Sequence, residues 1–524
     1  MWTVILLTCL GFLLGIFYWQ RRQQMAVFKR MGIPGPSPNF LFGNLLTFWK
    51  TPMFKQYGKW SEVFGKTYGY FEGPSPVIVT SDTDILSEVF VKQFKSFHAR
   101  KIFPVQVDPD KDEEVHMFFA RGERWRRLRS IANPAFNTGK MRLMSPMINK
   151  QIDKFLNVMD DKCLKEEEFN IYDLLQRLTF DTIAKCGFGL EADSVRTHDD
   201  EYLQNCRGVI NDTTKRPILF MFGFIFPTLH RLWILIYYWI GKLKFNPVIW
   251  LENKLQTVVQ NRKLSDKRDT YDLLELFLNS EYDPERTEMD QLSDCENNVK
   301  CIAKHRFLST QELGSQCLLF LLSGYETTST TLAYVMYEMA MNPDVQRILQ
   351  EEIDKYYPDD DDKVEYDNVM KMEYLDMVLN ETLRKYPLAS TVIARQCMRT
   401  SKVGDFQIEP GMIVQANVWD LHYDKNVWGE DPTTFDPQRF STENKAKLHP
   451  CAWMPFGHGP RRCVGLRLAQ LEGKMTIVRT LKKFMVLPGK ELDSELKIIE
   501  GATIFPQNGV QVRLVHRKCS LSDE

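Results

Sequence analysis

The sequence has almost no net charge. Its 67 lysine and arginine residues are balanced by 68 aspartate and glutamate residues, which leaves a formal charge of -1. No global field points to nucleic acid or to a strongly charged protein partner. Any charge-based contact must come from a local patch. Histidine is scarce, with 9 in 524 residues and none at metal-ligand spacing. The 11 cysteines show no repeated short spacing. Cys295 and Cys301 have no companion pair, which argues against a zinc ribbon. A chain this long can build a core without disulfides, and an odd cysteine number fits a reducing compartment. There is no internal repeat. There is also no glycine-rich dinucleotide fingerprint, so the chain brings no nicotinamide or flavin site of its own.

What remains is ordinary globular composition, 44% hydrophobic and 26% charged, with an unusual N-terminus. Residues 2–19, WTVILLTCLGFLLGIFYW, are almost unbroken apolar sequence, just long enough to span a bilayer core. No charge precedes this stretch, and Arg21, Arg22, Lys29 and Arg30 follow it. By the positive-inside rule the rest of the chain lies on the cytosolic side. A cleaved signal peptide is the alternative, but the basic cluster is on the wrong side and no small-residue cleavage site is evident. Residues 1–20 are therefore expected to be a membrane anchor. Residues 21–38, basic and ending in IPGPSP, are expected to be a stiff hinge, and residues 39–524 a single catalytic domain.

Residues 67–71 and 76–80 read as strands, rich in β-branched and aromatic residues. From about Ser81 to about Tyr386 the period is mostly helical. Strand signals return near 402–408, 412–416 and 510–515. The fold class is mainly α with small β-sheets. Segment 217–240 carries Phe220, Phe222, Phe224, Phe226, Trp233, Tyr237, Tyr238 and Trp239. Pro217, Gly223 and Pro227 argue against one long buried helix, which favours a membrane-interface segment. The polar stretch of about 280–305 and the acidic run 359–362 read as surface loops.

The strongest local pattern is FGHGPRRCVG at 456–465. Glycines and a proline precede Cys463, and a helical pattern follows it. The cysteine thus sits on an irregular loop at a helix N-terminus, where free amides and the helix dipole favour an anionic sulfur. A thiolate is the metal-binding form. Gly459 and Gly465 are expected to let the backbone approach a flat cofactor, and Arg461 to pair with a cofactor carboxylate. For an isolated cysteine, a structural role would be the default. Here F-x-x-G-x-R-x-C-x-G matches at every position, from Phe456 to Gly465, and closely resembles the haem-binding loop of the cytochrome P-450 family. The resemblance implies the P-450 fold, haem b (iron protoporphyrin IX) and Cys463 as axial iron ligand.

A second pattern lies in a long helix expected from the capping box of Ser309 and Glu312 to Asn342 and Pro343. About thirty residues give roughly 45 Å. Its centre reads LLFLLSGYETT over 318–328, with a mid-helix glycine and a carboxylate beside an apolar run. By default these are an exposed Glu and a back-bonded Thr. The stretch resembles the family's oxygen-activating segment. There a kink at Gly324 would open a groove for dioxygen, and Glu326 and Thr327 would form the acid–alcohol proton relay. Ser323 stands where alanine or glycine is usual.

Glu381 and Arg384, in a helix closed by Pro387, would by default be a surface pair. They resemble the family's buried structural pair, and Arg439 in FDPQRF (435–440) resembles the residue that completes it. Gln438 replaces the commoner acid. Trp125 and Arg129 share one helix face and resemble the family's propionate-binding W-x-x-x-R. Arg395 and Arg100 stand where the family often has further propionate-binding arginines.

The neighbouring text looks most like the animal microsomal branch that holds broad-specificity drug-metabolising enzymes and thromboxane synthase. The resemblance implies a monooxygenase of lipophilic small molecules (xenobiotics, steroids or fatty acids) in the endoplasmic reticulum membrane. Its electrons would come from NADPH through a separate reductase, with cytochrome b5 as a further partner. Arg126, Arg127, Lys140 and Arg142 are expected on the reductase-docking face. A peroxide-rearranging isomerase is the alternative, but it has no use for the retained acid–alcohol pair. A non-enzymatic haem protein is a third reading.

Overall fold

The computed structural model describes residues 1–103, 108–197, 199–215, 218–243, 245–264, 272–280, 307–359 and 363–517. Apart from Ser280, the stretch of about 280–305 lies outside them, as do residues 360–362 of the acidic run and Pro217 of the aromatic segment.

The mainly helical fold with small sheets is as expected. The N-terminal helix is Trp2–Met25, long and apolar enough to cross a membrane, and from Trp2 to Gln20 every side chain but Phe17 is exposed. The helix runs on past Arg21 and Arg22, and a second short helix, Val27–Met31, ends at Gly32. Arg21 does not face outwards: it is buried, and its Nη2 donates to the carbonyl of Ile225 at 2.7 Å.

That carbonyl belongs to the aromatic segment, which forms Ile218–Ile225 and His230–Leu243 around a turn at Pro227–Leu229. The two helices meet at 111°, a bend that the proline enforces. Ile218, Phe222, Leu235, Tyr238, Trp239 and Ile240 stay exposed.

A four-stranded sheet joins distant parts of the chain. Thr67–Glu72 pairs antiparallel with Ser75–Thr80, which pairs parallel with Ile413–Ala416, which pairs antiparallel with Ala394–Gln396. The strand signal at 402–408 resolves into a hairpin of Ser401–Val403 and Phe406–Ile408. The C-terminal strand Gln511–His516 pairs with Phe484–Pro488 and with Phe169–Asn170. The latter is a two-residue strand inside a region whose period reads as helix.

The largest apolar core lies where four helices pack: Thr138–Leu164, Ile171–Phe188, the central helix Thr310–Met341 and the proximal helix Leu466–Lys483. The central helix starts at the expected capping box. Glu312 N donates to Ser309 Oγ at 3.1 Å, and Ser309 N donates to Glu312 Oε2 at 3.2 Å. Arg124 and Arg127 of helix Gly122–Ala132 converge on the same Glu312 carboxylate. Gly324 lies at a close approach to the Ile171–Phe188 helix: a Cβ there would meet Ile183 Cγ1 at 2.8 Å. The helix assignment is continuous through Gly324. The glycine lets the Ile171–Phe188 helix lie against the central helix.

Candidate active site

The core encloses a cavity of about 1250 Å³ that is lined mostly by apolar side chains and reached by Cys463, Thr327, Ile393 and Phe118. Cys463 is held by its own loop. Its N–H donates to Phe456 O at 2.9 Å, a tight turn at Gly459–Arg461 precedes it, and the proximal helix begins at Leu466. The thiol is exposed, but to this cavity. Burial pushes the thiol up. The Gly465 and Leu466 amides and the Arg129 and Arg100 guanidiniums pull the other way, towards thiolate.

Gly459 is at φ +71°, a left-handed conformation, and a side chain there would run into the Phe90 carbonyl. Its role is packing against Phe90, which corrects the expectation that it faces the cofactor. A Cβ on Gly465 would sit 4.0 Å from Cys463 Sγ, beside the cavity.

Four arginines converge on the same cavity. Arg461 is 3% exposed, bonds the carbonyls of Phe118 and Ala120, and stacks on Trp125 with 4.7 Å to the ring centre. Arg395 is 1% exposed, bonds the carbonyls of Ala394 and His458, and lies 4.4 Å from the Phe90 ring centre. Arg100 bonds Val392 O at 3.0 Å and Arg461 O at 3.2 Å. Arg129 bonds Arg462 O at 2.9 Å. Among the described residues none of the four forms an ion pair with a carboxylate. The Nε atoms of Arg395 and Arg461 are buried without a partner among those residues.

Burial and mutual repulsion hold these guanidiniums below their ordinary range, Arg100 at about 10. Buried cations need paired anions. The donors present, four guanidinium forks around an apolar slot with a thiol at its floor, fit a flat hydrophobic group that carries carboxylates and a metal. Haem is such a group: Cys463 would hold the iron, and Arg100, Arg129, Arg395, Arg461 and Trp125 would surround the propionates.

The central helix forms the opposite wall. Residues one apart on a helix point about 100° apart, and Glu326 and Thr327 do so. Thr327 borders the cavity, and its Oγ1 donates to Ser323 O at 2.8 Å. Glu326 is 1% exposed. It accepts from Tyr172 Oη at 2.9 Å, from Gln176 Nε2 at 3.3 Å and from Thr330 Oγ1 at 3.3 Å. Burial raises its carboxyl above the ordinary range. Tyr172 and Gln176, on the Ile171–Phe188 helix, were not signalled by any motif.

Glu381 and Arg384 form a fully buried bidentate pair, both bonds 2.7 Å. Arg439 approaches Glu381 at 3.5 Å, and Asp436 N donates to it at 3.0 Å. The brace reaches the cysteine loop through a residue the motifs did not flag. His422 Nδ1 meets Arg384 O at 3.1 Å, and Met454 N donates to His422 Nε2 at 3.0 Å. A carbonyl can only accept, so Nδ1 carries the proton.

Of the residues expected on a docking face, Arg127 is turned inward to Glu312, which corrects that expectation. Arg126 and Arg142 remain exposed, paired with Glu123 and Asp367.

The sequence is similar to that of known proteins. The cytochrome P450 family model matches residues 33–514. The chain is 33% identical over 506 residues to the Caenorhabditis elegans protein named "Putative cytochrome P450 CYP13A10", covering 94% of this chain and 93% of that protein. It is 30% identical over 511 residues to cytochrome P450 3A11 of Mus musculus, covering 95% and 94%. It is 31% identical over 498 residues to cytochrome P450 3A12 of Canis lupus familiaris, covering 95% and 93%. A thiol at a helix N-terminus, four uncompensated arginines and a match over almost the whole sequence lead to one assignment: this chain belongs to the cytochrome P450 family of monooxygenases.

Proposed function

We propose that this protein is a membrane-anchored haem-thiolate monooxygenase of lipophilic small molecules such as xenobiotics, steroids or fatty acids. Its electrons come from NADPH through a separate flavoprotein reductase, with cytochrome b5 as a further donor. The observation that carries this reading is the set of four carboxylate-free arginines around the cavity above Cys463. A bound haem supplies the redox chemistry of dioxygen. The chain's own residues do the rest. Cys463 ligates and donates charge, and the arginines neutralise the propionates. The apolar walls collect a lipophilic substrate and exclude water. Thr327 sits on the cavity wall, where it orders water for proton delivery, and Glu326 behind it is the expected acid.

The apolar Trp2–Met25 helix and the exposed aromatic helices at 218–243 support attachment to the endoplasmic reticulum membrane, with the catalytic domain in the cytosol. Helix Gly122–Ala132 abuts the cysteine loop through Arg129, which favours the exposed Arg126 beside it as part of the reductase contact.

The test is the spectrum of the reduced, carbon monoxide-bound protein. A strongly red-shifted main band is expected, and it is absent from the Cys463→Ser variant. A folded, haem-loaded protein without that band would overturn thiolate ligation. NADPH-dependent turnover that survives undiminished in Thr327→Ala would overturn the role of Thr327.

A further inference from the structure

Five hydroxyl residues of the central helix line the cavity, Ser315, Ser323, Thr327, Thr328 and Thr331, and three of them, Ser323, Thr327 and Thr331, stack one turn apart at i, i+4 and i+8. They are not equivalent. Thr331 Oγ1 donates to Thr327 O at 2.8 Å, and Thr327 Oγ1 donates to Ser323 O at 2.8 Å. Each threonine therefore has its only proton committed to the helix backbone. Its lone pairs can accept, but it can donate to a ligand only by first breaking that bond. Ser323 differs. It is exposed, in mid-helix, and among the described residues its hydroxyl makes no hydrogen bond. It is the member of the stripe that can donate into the cavity without giving up a bond.

The carboxylic acid of the segment faces elsewhere. Glu326 borders the cavity, yet it is 1% exposed and its carboxylate is bonded to Tyr172, Gln176 and Thr330 between two helices. Gly324, next to Ser323, presses on Ile183. The helix is therefore pinned in this rotation.

We propose that Ser323 is the proton-donating hydroxyl of the oxygen site, with Thr327 as the accepting partner that orients the intervening water. This rests on the monooxygenase reading above. Each turnover takes dioxygen, two electrons from NADPH and two protons. The O–O bond breaks, one atom enters a substrate C–H bond to give C–O–H, and the other leaves as water. Ser323 Oγ passes a proton to the departing oxygen and regains one through a cavity water that relays it from solvent, so both protons of the turnover come from solvent and no further reactant is needed. The family's usual alanine or glycine at this position could not do this.

The test compares wild type with Ser323→Ala, which installs a residue usual in the family and removes only the hydroxyl. Product formed per dioxygen consumed is expected to fall roughly tenfold, with hydrogen peroxide making up the difference. That is less than the ~10²-fold of a sole general acid, because Thr327 and water remain. The solvent deuterium isotope effect on product formation is expected to rise. A second readout needs no turnover: the C–O stretch of the reduced carbon monoxide complex should move to higher frequency when the donor is lost. Unchanged coupling, isotope effect and C–O stretch in Ser323→Ala would overturn the role of Ser323 while leaving the monooxygenase reading intact. That reading fails separately, if wild type itself lacks the red-shifted thiolate band.

Discussion

His422 links the Glu381–Arg384 pair to the cysteine loop, and its burial makes the link sensitive to acid. The ring is 0% exposed. Burial, with the nearby Arg384 cation, lowers its pKa from an ordinary 6.5 to about 3. The Arg384 carbonyl acts the other way without prevailing. The native state therefore holds the imidazole neutral, Nδ1–H donating and Nε2 accepting. Between pH 6.5 and 3 only the unfolded chain takes up the proton. The stability that His422 contributes is complete above 6.5 and is lost as pH falls. At pH 5 almost all of that loss comes from protonation of the unfolded chain. It amounts to ~2 kcal/mol relative to pH 7. His422→Gln keeps one donor and one acceptor but cannot titrate. It should cost roughly 1–3 kcal/mol at both pH values, for imperfect hydrogen bonds. From pH 7 to pH 5, urea midpoints of the holoprotein should show wild type losing ~2 kcal/mol more than the variant. The red-shifted carbon monoxide band should decay in step, since Met454 and Cys463 share one loop. Equal acid losses in the two proteins would refute the neutral, bridging imidazole.

Arg395→Met should leave the cofactor-free protein as stable or more so, because it removes a buried cation without a counter-ion. The same change should speed haem loss to a scavenger protein roughly ten- to a hundredfold, the value of one charge-assisted bond; unchanged haem loss would take Arg395 out of the propionate set. Gly324→Ala places a methyl 2.8 Å from Ile183 Cγ1 and should destabilise by about 1–3 kcal/mol. Adding Ile183→Ala should recover part of that loss in thermal melts, whereas strictly additive effects would place the strain elsewhere. Glu381→Gln strips a fully buried Arg384 of its anion and should cost about 3–5 kcal/mol. It should also convert thiolate-type to unligated spectra on mild heating; a loss under 1 kcal/mol would show that the pair is not the brace.

The parts of the site that the sequence disclosed are those set by short chain distance. Phe456 to Gly465 fold as one loop, the Ser309–Glu312 box starts a helix, and Trp125 and Arg129 share a face because they are four apart. Gly324 was noticed for the right reason, a helix rule broken without local compensation. Its packing partner, Ile183, lies far away in the chain and carries no local mark. Orientation was partly readable. A step of about 100° turns Glu326 and Thr327 apart, but that the Glu326 carboxylate is held between helices depends on Tyr172 and Gln176, far away in the chain. His422 carries no local mark at all. It gains its role only when the Glu373–Lys385 helix and the loop at Met454 close around it. Arg127 illustrates the converse: its sequence suggests a surface cation, and only the start of the central helix shows the carboxylate that turns it inward.

The electrostatics of the cavity form a single balance. Without an anion, four guanidiniums crowd a space where charge is costly, and each is held below its ordinary range. The thiol of Cys463 is in the opposite position: burial opposes its ionisation, while Arg100, Arg129 and the helix amides favour it. A dicarboxylate with a central cationic metal relieves both strains at once, its carboxylates neutralising the arginines and its metal the thiolate. Neither half would be stable alone, because a thiolate without the metal is a buried anion and the arginines without carboxylates are buried cations. The Glu381–Arg384 brace and His422 tie the cysteine loop to the body of the fold, which favours a ligand that reaches both the thiol and the arginines. Specificity for the cofactor thus arises from charges left unpaired by the protein itself. The walls beyond them are lined mostly by apolar side chains, which suits the lipophilic substrates proposed above.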